Sequence, residues 1–156
     1  MQIYLLRHGI AENSTPDSER ALTPEGRDKL RRVLVRARDA SVSPSLILSS
    51  PYRRALETAG IAAEVLHYHG AVVKVRELLP DASPYDTWEE LRKRPEKEAI
   101  LLASHQPLMS SLASFLLASP SLAVDMKKAA LLRIDCERLG PEPQGMLKWM
   151  LTPATA

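Results

Sequence analysis

The sequence predicts an α/β fold in which helices flank a mainly parallel central sheet. Short apolar runs alternate along the chain with longer segments of helical periodicity, which is the pattern of repeated strand-helix units. A length of 156 residues suits a single domain that spans residues 1–156. Hydrophobic residues make up 45% of the chain and aromatic residues only 4%, so we expect an aliphatic core.

The first strand and the first helix are predicted from local signals near the amino terminus. Residues 3–6 form a short apolar run typical of a buried strand. Thr23 and Pro24 predict a helix start, since threonine is a good N-cap and proline suits the first helical position. One apolar stripe follows at helical spacing, and it consists of Leu30, Val33, Leu34 and Ala37.

The next two strands enclose a second predicted helix. Residues 46–48 are apolar and indicate the second strand. Ser50 and Pro51 repeat the cap-then-proline signal, which predicts a helix from there to about Leu66. Residues 71–75 indicate a third strand, which we expect at an edge of the sheet.

The second half of the chain completes the sheet. A helix of mixed charge is predicted over residues 84–94, and the uncharged run of residues 99–103 indicates a fully buried strand. A helix without charged residues begins at Pro107 and is expected to end before Pro120. Residues 129–135 and 146–151 indicate two last strands, which we expect to pair in antiparallel fashion.

Composition and charge exclude several classes of function. The chain carries 21 basic and 19 acidic residues, a net charge of +2 that is too small for a protein whose main task is to hold nucleic acid. The single cysteine, Cys136, excludes an internal disulfide and is interpreted as a buried hydrophobic residue. The amino terminus does not resemble a signal peptide, so we expect a cytoplasmic protein with no membrane partner.

Charged and polar residues collect where predicted strands end. Arg7 and His8 follow the first strand, Arg54 lies in the first turn of the helix after the second, and His105 follows the strand of residues 99–103. In an open α/β sheet, the carboxyl ends of the strands form the edge that binds ligands, and helix N-termini there favour anions. The sequence therefore predicts an anion site at this edge.

These residue types suit phosphate chemistry. The planar guanidinium group of arginine can donate two hydrogen bonds to phosphate oxygens, and a neutral imidazole can attack phosphorus. The sequence contains neither a glycine-rich phosphate-binding loop nor the Cys-x5-Arg loop of thiolate phosphatases. His8, which stands between Arg7 and the flexible Gly9, is therefore the natural candidate nucleophile.

Four blocks of the chain resemble the histidine phosphatase superfamily, which includes phosphoglycerate mutases and many phosphatases. They are Leu6-Arg7-His8-Gly9, the helix start Leu22-Thr23-Pro24-Glu25-Gly26, the Ser-Pro-x-x-Arg-Ala-x-x-Thr pattern of residues 50–58, and Ser104-His105. One such block is weak evidence, but four in order at family spacing are specific. The resemblance implies a phosphoglycerate-mutase-like fold and a phosphatase that uses neither a metal ion nor another cofactor.

A narrower resemblance points to one group within the superfamily. Residues 104–108, residues 149–153 and the short length are similar to SixA-type phosphohistidine phosphatases, and the similarity extends from residue 1 to about residue 153. Phosphoglycerate mutases carry longer insertions around the site than this chain can hold, which disfavours a mutase.

The resemblance implies a role for each matching residue. His8 would be the nucleophile, and Arg7 and Arg54 would clamp the phosphoryl oxygens. His105 would hydrogen-bond the same group, and Arg20 matches an arginine that faces the phosphate pocket in SixA-type enzymes. The Arg-Ala-x-x-Thr spacing selects Arg54, whereas the neighbouring Arg53 is expected on the surface.

The general acid is less well defined by sequence. Glu77 and Asp81 follow the third strand, where many superfamily members carry such a carboxylate, and we rank Asp81 first. An imidazole is a better leaving group than an alkoxide, so an enzyme that cleaves an N–P bond needs less acid assistance. His67 and His69 are interpreted as part of a solvated turn after a helix rather than as metal ligands.

Three functions remain open from the sequence. The first is hydrolysis of phosphohistidine on a protein, such as a histidine-containing phosphotransfer domain, through a covalent intermediate on His8. The second is hydrolysis of a small phosphate ester with the same nucleophile. The third is a module that binds phosphorylated ligands without turnover.

Overall fold

The computed structural model describes residues 1–156 as six strands and four helices. The strands are β1 (Gln2–Arg7), β2 (Leu46–Ser49), β3 (Val72–Lys74), β4 (Ala99–Ser104), β5 (Leu131–Asp135) and β6 (Met146–Leu151). The helices are α1 (Pro24–Asp39), α2 (Arg53–Val65), α3 (Pro84–Arg92) and α4 (Leu108–Leu116), and two 3₁₀ turns cover Asp17–Glu19 and Arg76–Leu78. The predicted fold class is confirmed.

All six strands belong to one sheet, in the order β3-β2-β4-β1-β5-β6. The first four strands of that order run parallel, β5 pairs antiparallel with β1, and β6 pairs antiparallel with β5. β3 lies at an edge and β5 and β6 form the antiparallel pair, as the sequence predicts. All six residues of β4 are buried, because this strand lies between β2 and β1 with helices on both faces.

Alternation along the central strands builds a core on each face of the sheet. Ile3 and Leu5 of β1 belong to the core on the side of α3 and α4, whereas Tyr4 and Leu6 belong to the core on the side of α1 and α2. Successive strand residues point to opposite faces, so each strand contributes to both cores. Trp88 of α3 is fully buried in the first core, and its indole N–H donates to the Gly140 carbonyl at 3.0 Å.

The amino end of α1 is packed directly against the segment that follows β1. The Thr23 hydroxyl caps α1 by accepting a hydrogen bond from the Gly26 amide at 2.9 Å, as predicted. Gly26 lies so close to this segment that a Cβ atom on it would stand 2.3 Å from the Ile10 carbonyl oxygen. Glycine at this position therefore permits α1 to approach the chain just beyond His8.

Several boundaries differ from the sequence-based prediction for identifiable reasons. α2 begins at Arg53 with Tyr52 as its N-cap, rather than at Ser50 and Pro51, and the Ser50 hydroxyl contacts His105. β5 begins at Leu131 rather than at residue 129, since Ala129 has a positive φ of 63° that no strand accommodates.

The two later helices are also shorter than expected. α3 ends at Arg92, two residues before the predicted end. α4 covers only Leu108–Leu116, because Pro107 is its N-cap and Ala118 has a φ of 51°, which ends the helical path. None of the four helices combines the length and the apolarity that a membrane crossing requires.

Candidate active site

Three neighbouring parallel strands place Ser50, His105 and His8 side by side. These residues directly follow β2, β4 and β1, which are adjacent in that order in the sheet. The His8 amide donates to the Ser104 carbonyl at 2.9 Å, and the Ser50 amide donates to the Ala103 carbonyl at 3.0 Å. These bonds extend the sheet register by one residue and hold the three side chains at the ligand-binding edge.

His8 is held in one tautomer by the backbone. Its Nδ1 atom lies 2.7 Å from the Gly9 carbonyl oxygen, which can only accept, so Nδ1 carries the proton. Nε2 therefore keeps its lone pair. The Gly9 amide donates to the Thr58 hydroxyl at 3.2 Å, and that hydroxyl donates to the Arg54 carbonyl at 2.7 Å. The loop that presents His8 is thus anchored to α2.

Arg54 lies in the first turn of α2, and its side chain is almost completely buried. Its Nε atom donates to His8 Nε2 at 3.3 Å, and its Nη1 atom donates to the Asp17 carbonyl at 2.7 Å. The guanidinium also lies over the Tyr52 ring, 5.2 Å from the ring centroid. This orientation holds a permanent positive charge beside the free nitrogen of His8.

His105 has one ring nitrogen in a hydrogen bond and one without a partner. The Ser50 hydroxyl lies 2.7 Å from His105 Nε2, and because it accepts from the Tyr52 amide it can donate its own proton to Nε2. When the hydroxyl donates in this way, the proton of the ring is on Nδ1, which is buried and has no partner in the protein. The ring centroids of His105 and His8 are 5.1 Å apart.

A second buried donor near the histidines also lacks a protein partner. Arg7 donates through Nη1 to the Met126 carbonyl at 2.8 Å, while its Nε atom is buried and unpaired. Buried polar atoms are nearly always hydrogen-bonded in folded proteins, so two unpaired donors in one cluster indicate a place for a ligand with acceptor oxygens. A phosphoryl group fits this requirement.

Both histidines are neutral in the ordinary pH range. Burial lowers the pKa of His8 to about 4; the hydrogen bond to Gly9 opposes this effect, and the charges of Arg54 and Arg7 add to it. Burial also lowers the pKa of His105 to about 3, and His8 and Arg54 contribute in the same direction. His8 Nε2 is therefore unprotonated at neutral pH, and its lone pair accepts the hydrogen bond from Arg54.

Asp17 is a site residue that the sequence analysis does not single out. Its carboxylate lies 3.3 Å from Arg54 Nη2 and 3.2 Å from Arg20 Nη1, and so it joins two of the predicted phosphate-binding arginines. Arg20 also donates through Nε to the Glu12 carbonyl at 2.7 Å. Burial opposes ionisation of Asp17, but the hydrogen bond from Arg20 and the charge of Arg54 outweigh it and lower the pKa of the carboxyl. The only available signal was its position three residues before Arg20.

The structure brings together five of the predicted site residues, namely Arg7, His8, Arg20, Arg54 and His105. Asp81 is exposed and makes no hydrogen bond or ion pair with this cluster. Glu77 lies on the 3₁₀ turn after β3, where its backbone carbonyl accepts from the Thr87 hydroxyl at 2.7 Å. Arg53 is exposed and pairs with Glu57 at 3.3 Å.

The arrangement suits transfer of a phosphoryl group. Three guanidiniums and two neutral imidazoles meet at the carboxyl edge of a mainly parallel sheet, and they include the unpaired buried nitrogens of Arg7 and His105. Fixed donors of this kind stabilise the charge on phosphoryl oxygens, and such positioning is the main source of catalysis in phosphoryl transfer. The fold and the site together define a phosphoryl-transfer enzyme built around histidine.

Comparisons with known proteins identify the family. The sequence profile of the histidine phosphatase superfamily (branch 1) matches residues 3–82. An uncharacterized protein of Picosynechococcus is 31% identical over 111 residues, which cover 69% of this chain and 67% of that protein. The chain therefore belongs to the histidine phosphatase superfamily, and it is a phosphatase.

Two further comparisons relate it to the SixA group. The phosphohistidine phosphatase SixA of Escherichia coli is 24% identical over 156 residues, which cover 98% of this chain and 94% of SixA. The solved structure of the protein histidine phosphatase SixA complexed with tungstate superposes with a TM-score of 0.87 and 24% identity, covering 99% of this chain and 98% of that one. The match confirms the predicted phosphoglycerate-mutase-like fold.

Proposed function

We propose that this phosphatase hydrolyses phosphohistidine on a protein through a covalent phosphohistidine intermediate on His8. The observation that carries the proposal is the state of the His8 ring. Nδ1 is fixed by the Gly9 carbonyl, and Nε2 is left unprotonated beside Arg54 and His105. The near full-length similarity to a protein named phosphohistidine phosphatase supports this choice of substrate.

In the first step, the lone pair of His8 Nε2 attacks the phosphorus atom of the substrate. A bond forms between Nε2 and phosphorus while the bond from phosphorus to the substrate imidazole breaks. The substrate reacts in the form whose other ring nitrogen is protonated, so the leaving imidazole takes the electron pair of that bond and departs as a neutral ring. No proton has to be supplied by the enzyme in this step.

In the second step, water attacks the phosphorus atom of phosphorylated His8. The electron pair of the N–P bond returns to Nε2, both protons of the water stay with the released dihydrogen phosphate, and His8 regains its neutral form. The hydrogen bond from Nδ1 to the Gly9 carbonyl is kept throughout, so the ring does not have to reorient.

The charged neighbours stabilise the phosphoryl group as it moves between the nitrogens. Arg7 Nε and His105 Nδ1 are the two donors without a protein partner, and we assign them to non-bridging oxygens. Arg54 and Arg20 supply further positive charge at the mouth of the site. This set needs no metal ion to neutralise the group, since three guanidiniums surround it.

The proposed leaving group also accounts for the position of Asp81. A phosphate ester leaves as an alkoxide and requires a proton, whereas the imidazole of phosphohistidine does not. Asp81 lies outside the cluster of arginines and histidines, and we assign it only an accessory role as a proton donor for esters.

A side-by-side assay tests the proposal. Release of inorganic phosphate is measured from a protein phosphorylated on histidine and from a panel of sugar and nucleotide phosphates. We expect the phosphorylated protein to be the better substrate, and His8→Ala to abolish turnover of every substrate, while the exposed His69→Ala control retains it. Asp81→Asn should slow ester hydrolysis more than phosphohistidine hydrolysis.

The contrary outcomes are distinct. Preference for a small ester would make the chain a metabolite phosphatase, and binding of the phosphorylated protein without release of phosphate would make it a binding module. Residual turnover by His8→Ala would remove His8 as the nucleophile. Equal slowing of both substrate classes by Asp81→Asn would refute the explanation based on the leaving group.

A further inference from the structure

A groove of about 580 Å³ opens beside the active site. It extends from Arg7 at the end of β1, across the first half of α1, to the loop before β5 and the segment after β6. Its charged lining residues are Arg7, Lys29, Arg32, Lys127 and Lys128, and no carboxylate lines it. We refer to this feature as the basic groove.

Much of the positive charge in the basic groove is not neutralised by the protein. Lys128 makes no ion pair, and Arg32 donates to the uncharged carbonyl of Pro153 at 3.2 Å. Lys29 and Lys127 pair with Glu25 at 2.9 Å and with Asp125 at 3.0 Å, and these two pairs are solvated on the surface. Solvated pairs of this kind are weak, so both lysines can also bind an incoming anion.

This charge is concentrated locally rather than spread over the molecule. The chain as a whole has a net charge of only +2, so five cations around one groove are balanced by acidic residues elsewhere. A groove lined by charges of one sign raises the local concentration of oppositely charged ligands.

We infer that the basic groove docks an acidic segment of the phosphorylated protein substrate, next to the residue that is dephosphorylated. The inference rests on the proposed function and deepens it, because Arg7 belongs both to the active site and to the groove lining. A segment that flanks a phosphohistidine bound at His8 therefore lies next to the groove. Glutamate or aspartate side chains of that segment would meet Lys127, Lys128 and Arg32, which are exposed.

Two phosphohistidine peptides provide the test. They differ in the four residues that flank the phosphohistidine on one side, which are glutamates in the acidic peptide and serines in the other. Each of the two is made in two versions, one with this run before the phosphohistidine and one with the run after it. For the native chain, we expect kcat/KM for the acidic peptide to exceed that for the serine peptide by about tenfold at low salt, mainly through KM. High salt should remove the difference, because it screens exposed charges.

Two charge-reversed double variants assign the effect to the groove. In Lys127→Glu with Lys128→Glu, the preference should fall to about one or reverse. The control is Arg36→Glu with Arg38→Glu, which makes the same change of charge in the last turn of α1, at the end of the helix away from the groove, and should keep the preference. All four positions are exposed, and thermal unfolding by circular dichroism checks that both variants fold.

The possible failures can be told apart. Equal kcat/KM for the two peptides with the native chain would overturn the docking inference while leaving the proposed function standing. A preference that survives in the groove variant, or that disappears equally in the control, would also overturn it. If the native chain hydrolyses neither these peptides nor the protein phosphorylated on histidine, the proposed function is wrong and the inference falls with it. Hydrolysis of the phosphorylated protein without hydrolysis of either peptide would overturn the docking inference alone.

Discussion

The two buried histidines should make the free energy of unfolding depend strongly on pH. In the folded chain, the pKa values of His8 and His105 are lowered to about 4 and about 3. In the unfolded chain both rings have an ordinary pKa of about 6.5 and bind protons as the pH falls below it. Stability is therefore lost as the pH drops from about 6.5 toward 4, and the loss levels off below the folded pKa values.

The size of the effect follows from the same values. One pKa unit corresponds to about 1.4 kcal/mol, so at about pH 5 each histidine lowers the free energy of unfolding by about 2 kcal/mol relative to about pH 7.5. The two rings together lower the free energy of unfolding by about 4 kcal/mol, which is a large part of the stability of a domain of this size. His8→Gln should remove about half of this loss, since only His105 then titrates.

Urea unfolding at the two pH values measures the difference, with fluorescence of the buried Trp88 as the signal. Carboxylates that titrate near pH 5 affect all variants alike and cancel in the comparison. His69→Gln, which changes an exposed histidine, is the matched control and should lose as much stability as the native chain. If His8→Gln also loses as much as the native chain, burial does not hold His8 neutral.

Two substitutions test other features of the site. Gly26→Ala would place a methyl group 2.3 Å from the Ile10 carbonyl, so the free energy of unfolding should fall by about 1–3 kcal/mol in urea titrations. Gly60→Ala, in the interior of α2 with open space around it, should instead raise it by about 0.5–1 kcal/mol, and a similar loss in both variants would contradict this contrast. Asp17→Asn removes a charge that occupies Arg20 and Arg54, so the inhibition constant of inorganic phosphate should fall by about two- to fivefold. The control is Asp28→Asn, which changes an exposed aspartate. If the inhibition constant of Asp17→Asn is unchanged or larger, the carboxylate instead holds the arginines in place.

Most of the active site could be predicted because its residues directly follow short apolar runs. His8 and His105 each come after a strand whose position is evident from apolar runs, and parallel strands end at the same edge of a sheet. The motif that spans residues 50–58 predicts that Arg54, rather than Arg53, belongs to the site. In the structure, Arg54 contacts His8 and Arg53 lies on the surface. These signals are local, and local signals are readable from a single sequence.

The contacts of the Ile10–Glu19 segment could not be predicted in the same way. No apolar periodicity marks this segment. Asp17 lies on a 3₁₀ turn and contacts Arg54, which is 37 residues away in the sequence. The contact between the Ser50 hydroxyl and His105, which follows a different strand, could not be predicted either. Local helix and turn propensities do not predict the contacts of a side chain whose partner lies far away in the sequence.

The sequence by itself determined the order of strands and helices, the family, and the residue types available for phosphate chemistry. These properties depend on apolar spacing and on short motifs, each contained within a few neighbouring residues. Only the tertiary structure decided the protonation of His8, the unpaired donors on Arg7 and His105, and the basic groove. Burial and charge density arise when distant segments pack together, and their effects on pKa and hydrogen bonding exist only in that packed state.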